Sequence, residues 1–440
     1  MQLELKSILK NKFSILLLIA SVLISVSNIS LTEYDKNYSK AQFLENKTTY
    51  LNYKNSEKLF FQKATGKFSK DYVMAYEQFL SGLEKNGQLY YESASKNWRE
   101  NLDYEILSNL YFTELVNASN KSYYELNKDK LTKYLRLNEL DYNFDNFVKY
   151  VKKAGKEKED SNRTKLLHIV ISYYVDEMEE NHSLLTVNRP SPFNYLNKTY
   201  SSNNYKNLLL VLLILYSFYQ IIITRKNKSY DLSFLTNRSK KQTINRYLKT
   251  ILYAVIILII IPDLISFIYL GVKNGFDGFN TNMLVYENNF TALNGYDKKG
   301  DEEFFIGLTR LFPIALNEKG AMDIYPTSFI KIPLWQFLSL SFILDLLKIL
   351  LFVSLGVFIA LNIKNKILAY NIAFFVSIFA ILSSYFNFLP ENPLTFESGW
   401  NITLGSMKTS YLFCFVSLLL ANIIVYFLGN AIFKRREIVG

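Results

Sequence analysis

Residues 225–249, RKNKSYDLSFLTNRSKKQTINRYLK, decide how this chain is organised. Arg225, Lys226, Lys228, Arg238, Lys240, Lys241, Arg246 and Lys249 stand against one acid, Asp231. Apolar runs flank the segment at 208–224 and 251–270. A short loop with such an excess of Lys and Arg stays on the cytoplasmic side of a membrane, so it orients everything attached to it. The segment also carries Leu232, Phe234, Leu235, Ile244, Tyr247 and Leu248 between its cations. The step Asn237–Ser239 predicts a turn followed by a helix start. An amphipathic basic segment of this kind has two readings. It rests on anionic lipid, at about 1 kcal/mol per cation, or it docks a cytoplasmic partner.

Four more apolar runs lie further out, at 13–31, 335–362, 367–388 and 411–433. Each run reaches the ~17 residues needed to cross the hydrocarbon layer. Their cytoplasmic ends are all basic: Lys6, Lys10 and Lys12 before the first, Lys364 and Lys366 between the fourth and fifth, and Lys434, Arg435 and Arg436 after the last. Six spans with both termini in the cytoplasm satisfy the positive-inside pattern throughout. The expected fold is an α-helical polytopic protein of a bacterial cell membrane, with a mainly helical extracellular domain between transmembrane helices 1 and 2. Richness in Lys, Asn, Ile and Tyr with little Pro is what points to a bacterial source.

Residues 1–31 hold an amphipathic helix, with Leu5, Ile8 and Leu9 on one face, and then the first span. That run also has the parts of a signal peptide, with Ser25, Val26 and Ser27 near its end; the later spans favour a retained anchor. Residues 32–204 contain no span-length apolar run and form a unit of ordinary domain size. Their stripes are helical: Tyr72, Tyr76, Phe79, Leu80 and Leu83 recur on one face after a cap at Ser69–Asp71, and Gly87 stops the helix. Residues 205–272 carry spans 2 and 3 with the loop 225–249 between them. Residues 273–333 are expected outside, loop-rich, with short helices near 302–312 and 328–337. Spans 4 to 6 occupy 334–440, joined outside by a loop at 389–409 that contains Pro390, Pro393 and Trp400.

The chain has 440 residues and a net charge of +11, but the cations cluster beside apolar runs, which speaks for orientation and against nucleic-acid binding. A single cysteine, Cys414, excludes an internal disulfide. No phosphate-binding loop occurs: Gly295 to Gly300 is followed by Asp301 rather than Lys. The two histidines, His168 and His182, have no zinc-motif spacing and read as core or surface residues. Metal, cofactor and catalytic assignments are therefore all none. Three charges fall within spans: Asp263 beside Pro262, and Asp345 with Lys348 on one helical face. Ionisable groups at that depth face protein or water. They line a polar route, or Asp345 and Lys348 pair with each other and Asp263 sits near the interface.

Taken together, the chain resembles the six-span permease subunit of a bacterial ATP-binding-cassette exporter. The helix entering the membrane at 1–12, the apolar–turn–Arg/Ser–basic–helix pattern of 232–249 and the layout with both ends inside carry the resemblance. It implies a homodimer or heterodimer of permeases in the lipid bilayer, with ATP bound by a separate ATPase subunit. Phe234, Leu235, Asn237, Arg238, Ser239, Lys240, Lys241, Ile244 and Tyr247 would then form the coupling helix that docks that subunit. The aromatic-rich outer domain suits an amphiphilic substrate, either a peptide such as an antimicrobial peptide or bacteriocin, or a lipid-like molecule. The alternative is a non-transporting receptor or immunity protein whose outer domain binds a ligand. A membrane enzyme would need a cluster of catalytic groups near a span end, and the sequence shows none.

Overall fold

The computed structural model describes residues 2–32, 191–200, 204–226, 240–276, 278–286, 288–293, 329–385, 392–396, 398–405 and 409–435, with single positions at 129, 173, 176, 177, 179, 180 and 182. Most of the expected outer domain, with its stripes and His168, lies outside the described residues. So do 227–239, which hold Phe234, Leu235, Asn237, Arg238 and Ser239, and the expected helix at 302–312.

Helix α1 (Gln2–Leu9) turns at Asn11, whose side-chain oxygen accepts the Phe13 N–H at 3.0 Å and so caps α2 (Lys12–Thr32). Helix α2 has the polarity of a lipid-facing helix. Ser14, Ser21, Ser25, Asn28 and Thr32 are buried, while Ile15, Leu16, Ile19, Val22, Leu23 and Val26 are exposed. Small polar side chains let helices approach and bond inside a membrane, while the apolar face meets lipid. Ser14 Oγ lies 3.0 Å from Tyr216 Oη, and Ser25 Oγ 3.0 Å from an Asp263 oxygen. Ser25 is thus a packed member of the bundle.

Helix α3 (Pro192–Tyr200) is short and almost wholly buried, with Ser191 as its cap. Helix α4 (Asn204–Lys226) runs through the centre. A single 34-residue rod follows, Lys241–Asn274 at its apolar limits. It consists of α5 (Lys240–Val255), a π-helical turn (Ile256–Ile260) and α6 (Ile261–Asn274). The π turn precedes Pro262, which has no N–H to donate and whose ring crowds the carbonyl four residues back; a wider turn relieves that clash. Strand β1 (Asn282–Tyr286), α7 (Asn288–Thr291) and β2 (Phe329–Pro333) come next. The strands pair antiparallel, Asn282 opposite Pro333 and Tyr286 opposite Phe329. The last four helices are α8 (Leu334–Asn362), α9 (Lys366–Tyr385), α10 (Gly399–Leu404) and α11 (Tyr411–Arg435).

Four of these helices are long and apolar enough to cross a membrane: α2, the α5–α6 rod, α8 and α11. Helices α4 and α9 carry shorter apolar stretches, Leu209–Arg225 and Lys366–Leu382. Among the described residues the chain is mostly helical, and these apolar helices mark a membrane-embedded protein. Its main core gathers Leu213, Ile214, Phe218, Ile251, Phe352 and Val357 around α4 and α8, the most extensive helix pair. That contact depends on Gly356. A Cβ there would fall 2.3 Å from the Ile214 carbonyl oxygen and 2.2 Å from Ser217 Oγ. Gly356→Ala is expected to push the helices apart and cost about 1–3 kcal/mol, read as a lowered unfolding temperature of the purified protein.

Three local expectations are corrected. Residues 329–333 form a strand rather than a helix: FIKIP alternates, with Lys331 exposed and Ile332 buried, and α8 begins only at Leu334. The segment 389–409 is not a plain solvent loop, since all six residues of α10 are buried. The helix from Lys240 turns Ile244, Tyr247 and Leu248 into the core rather than outward.

Candidate functional site

Helices α5 and α11 hold the basic end of the bundle together. Tyr426 Oη donates to Asn245 Oδ1 at 3.0 Å, and Arg225 of α4 donates to the Ala360 carbonyl of α8 at 2.5 Å. Ile244 and Tyr247 pack into the core because apolar burial outweighs any gain from exposing them to solvent. They are therefore not accessible docking residues in this arrangement. The exposed face of α5 carries Lys241, Gln242 and Lys249.

At the opposite end, the strands form a platform. The buried Glu177 accepts from the Asn282 backbone N–H at 3.0 Å and from its side-chain amide at 2.6 Å. The Tyr173 hydroxyl donates to the Asn282 carbonyl. Burial first, and the Glu177 carboxylate second, hold the Tyr173 phenol well above its ordinary range, so it remains a donor. His182 Nδ1 lies 2.9 Å from Glu177 and 3.2 Å from Glu180. These three could offer ligand atoms to a cation, but both Glu177 oxygens already serve the platform. The five-residue His182–Glu177 spacing carried no motif that sequence reading could use.

Between platform and basic end lies a cavity of about 380 Å³, walled by α3, α6, α8 and α10. Its apolar surface includes Leu264, Phe267, Leu338, Phe342 and the Trp400 ring. Asp263 and Asp345 both border it, which brings together two of the three intramembrane charges legible in the sequence. Asp263 lies 11 residues before Asn274, and Asp345 lies 11 residues after Leu334. At 1.5 Å per residue, each of the two residues lies about 16 Å along its helix from that end, within a helix long and apolar enough to cross a membrane.

Asp263 is buried but well met. Hydroxyls of Ser25 and Tyr195 donate to one oxygen at 3.0 and 3.1 Å, and Tyr200 donates to the other at 2.9 Å. It thus joins α2, α3 and α6, and does not lie on an open helix face. The π turn and Pro262 set its direction: Pro262 and Asp263 point inward while Ile261, Leu264 and Ile265 point outward.

Asp345 and Lys348 both reach the segment before and within α10. Asp345 accepts the Gly399 N–H at 2.8 Å, and Lys348 donates to the Phe396 carbonyl at 2.5 Å. The Lys348 ammonium also sits 5.8 Å over the Phe352 ring. Gly399 makes this approach possible, because a Cβ there would fall 2.0 Å from the Ser341 carbonyl oxygen. Trp400 packs edge-on against Phe337 at 4.8 Å. Among the described residues, Trp400 Nε1 and Ser341 Oγ are buried polar atoms with no hydrogen-bond partner, and both residues border the cavity. Tyr195 and Tyr200 were not singled out in the sequence, and Ser25 and Trp400 were read only as parts of a signal-peptide-like end and of an outer loop. Their contacts to α6 and α8 span long sequence separations that no local pattern reports.

The fold and cavity thus define a helical, membrane-embedded protein with two carboxylates bordering an apolar cavity. Comparison with protein-family models, curated proteins and solved structures gives no match.

Proposed function

We propose that this chain is the permease subunit of an ATP-binding-cassette exporter, driven by a separate ATPase subunit and moving an amphiphile such as a peptide out of a bacterial cell. In this reading α2, α4, the α5–α6 rod, α8, α9 and α11 are six crossings. The basic end and both termini are cytoplasmic and the β platform is outside. The observation that carries the proposal is the cavity bordered by Asp263 and Asp345. Both carboxylates also bond neighbouring elements, but their shared place beside an apolar cavity suits a ligand site within the bundle, which a transporter needs and a receptor that binds only through an outer domain does not.

The rod supplies a mechanical link. One continuous helix runs from Lys241 to Asp263, about 33 Å at 1.5 Å per residue. ATP-driven movement of a partner docked on Lys241, Gln242, Lys249 and 227–239 would travel along it to the cavity. The π turn and Pro262, next to Asp263, are the place where the rod can bend. Such coupling requires two packed arrangements of the rod rather than a loose tether.

Purification of the tagged chain from its native membranes, followed by an ATPase assay, tests the proposal. An ATPase subunit is expected to co-purify and turn over ATP. A single-chain preparation with no nucleotide turnover would sink the proposal and favour the receptor or immunity reading.

A further inference from the structure

We propose that the cavity between α6 and α8 binds one amphiphilic cation: a primary amine or comparable ammonium group carrying a compact aromatic or alkyl body, admitted from the surrounding lipid. This deepens the transport reading by naming a substrate class, and it rests on that reading only for the movement of the ligand, not for its binding.

Four observations converge. The first is charge. Asp263 and Asp345 border the same chamber, and Tyr200, which also borders it, donates to Asp263. Two carboxylates facing one low-dielectric space favour a positive charge between them. The second is the wall. Phe267, Tyr200 and Trp400 line the cavity together with the two aspartates, and aromatic rings attract cations by about 0.5–2 kcal/mol. The third is unused bonding capacity. Trp400 Nε1–H and Ser341 Oγ, in residues 2% and 5% exposed, have no partner among the described residues. Buried polar atoms in native proteins are nearly always satisfied, so a hydroxyl, carbonyl or water held with the ligand would complete them.

The fourth is size and access. A volume of about 380 Å³ equals about a dozen waters at their liquid volume, and falls within the usual range for small-ligand sites. Leu264 and Phe342 border the cavity and are 51% and 46% exposed on the lipid-facing side of their helices. The mouth is therefore apolar, which suits a ligand partitioned into the membrane.

The test uses full-length protein in lipid nanodiscs and tritiated 4-phenylbutylamine, with binding to empty nanodiscs subtracted. Saturable binding is expected. 4-Phenylbutan-1-ol, the neutral counterpart, should compete at least tenfold more weakly, and 4-phenylbutyrate should not compete. Asp345→Asn and Asp263→Asn should each weaken binding at least tenfold. Leu264→Trp narrows the mouth from the lipid side without touching the carboxylate network, so it tests access even if an Asn variant fails to fold; it should abolish binding at an unchanged unfolding temperature. Equal competition by amine and alcohol would overturn the proposal. So would binding that survives Leu264→Trp. Binding is measured on the chain without an ATPase. Amine binding in a protein with no ATPase partner would keep this inference and remove the transport reading; ATP turnover without amine binding would do the reverse.

Discussion

Asp263→Ala is expected to lower the unfolding temperature of the purified protein more than any other single change in the cavity wall. The substitution leaves the hydroxyls of Ser25, Tyr195 and Tyr200 without the carboxylate they now share. A stranded buried donor costs about 1–3 kcal/mol. The three stand on α2 and α3, so the whole platform end should loosen. Asp263→Asn keeps an acceptor oxygen and removes the charge, so it should cost much less stability. The pair of variants separates two roles, because one carboxylate acts both as the junction of three elements and as a charge facing the chamber. Equal unfolding temperatures for wild type and Asp263→Ala would show that the hydroxyl network contributes nothing to stability.

The second large effect is expected at the basic end. Reversing Arg238, Lys240 and Lys241 to Glu should leave membrane insertion intact and abolish co-purification of the ATPase subunit. Placing like charges across a docked surface costs several kcal/mol, which is more than a hundredfold in affinity. Any remaining ATP hydrolysis should no longer drive transport. Ile244→Ala supplies the contrast. Ile244 is 1% exposed and packs in the main core, so its truncation should cost about 2–5 kcal/mol of stability while docking of the folded fraction persists. Unchanged co-purification in the triple variant would remove the docking claim.

The membrane character was legible because apolar runs of span length carry their own signal. Helices α8 and α11 begin within a residue of the sequence-read spans. Asp263, Asp345 and Lys348 were legible as charges at depth, because a single ionisable group stands out in an apolar run. Their partners were hidden. Ser14, Ser21, Ser25 and Asn28 look like noise in a hydrophobic stretch, although their spacings of seven, four and three residues mark the inward face of α2. The Asp263 network joins Ser25, 238 residues away in sequence, to Tyr195, 68 away. Trp400 and Gly399 fell in a segment whose prolines read as a loop, while the close fit of Gly399 on Ser341 is a tertiary fact. The orientation of Ile244 and Tyr247 was misread because an amphipathic segment between spans has two apolar destinations, a partner or the bundle itself, and the sequence does not distinguish them.

The transport reading requires the basic end and the β platform to lie on opposite sides of the membrane, with the cavity between them. Thiol labelling in intact cells tests this most directly. The one native cysteine, Cys414, is buried, so a single introduced cysteine reports its own side. Asn280→Cys, on the exposed approach to β1, should react with a membrane-impermeant maleimide in intact cells. Lys241→Cys, on the exposed face of α5, should react only after the membrane is opened. That result would put the carboxylates of Asp263 and Asp345 between the two faces. Labelling of both positions from the same side would contradict the membrane-crossing rod, and with it the route from docking surface to cavity.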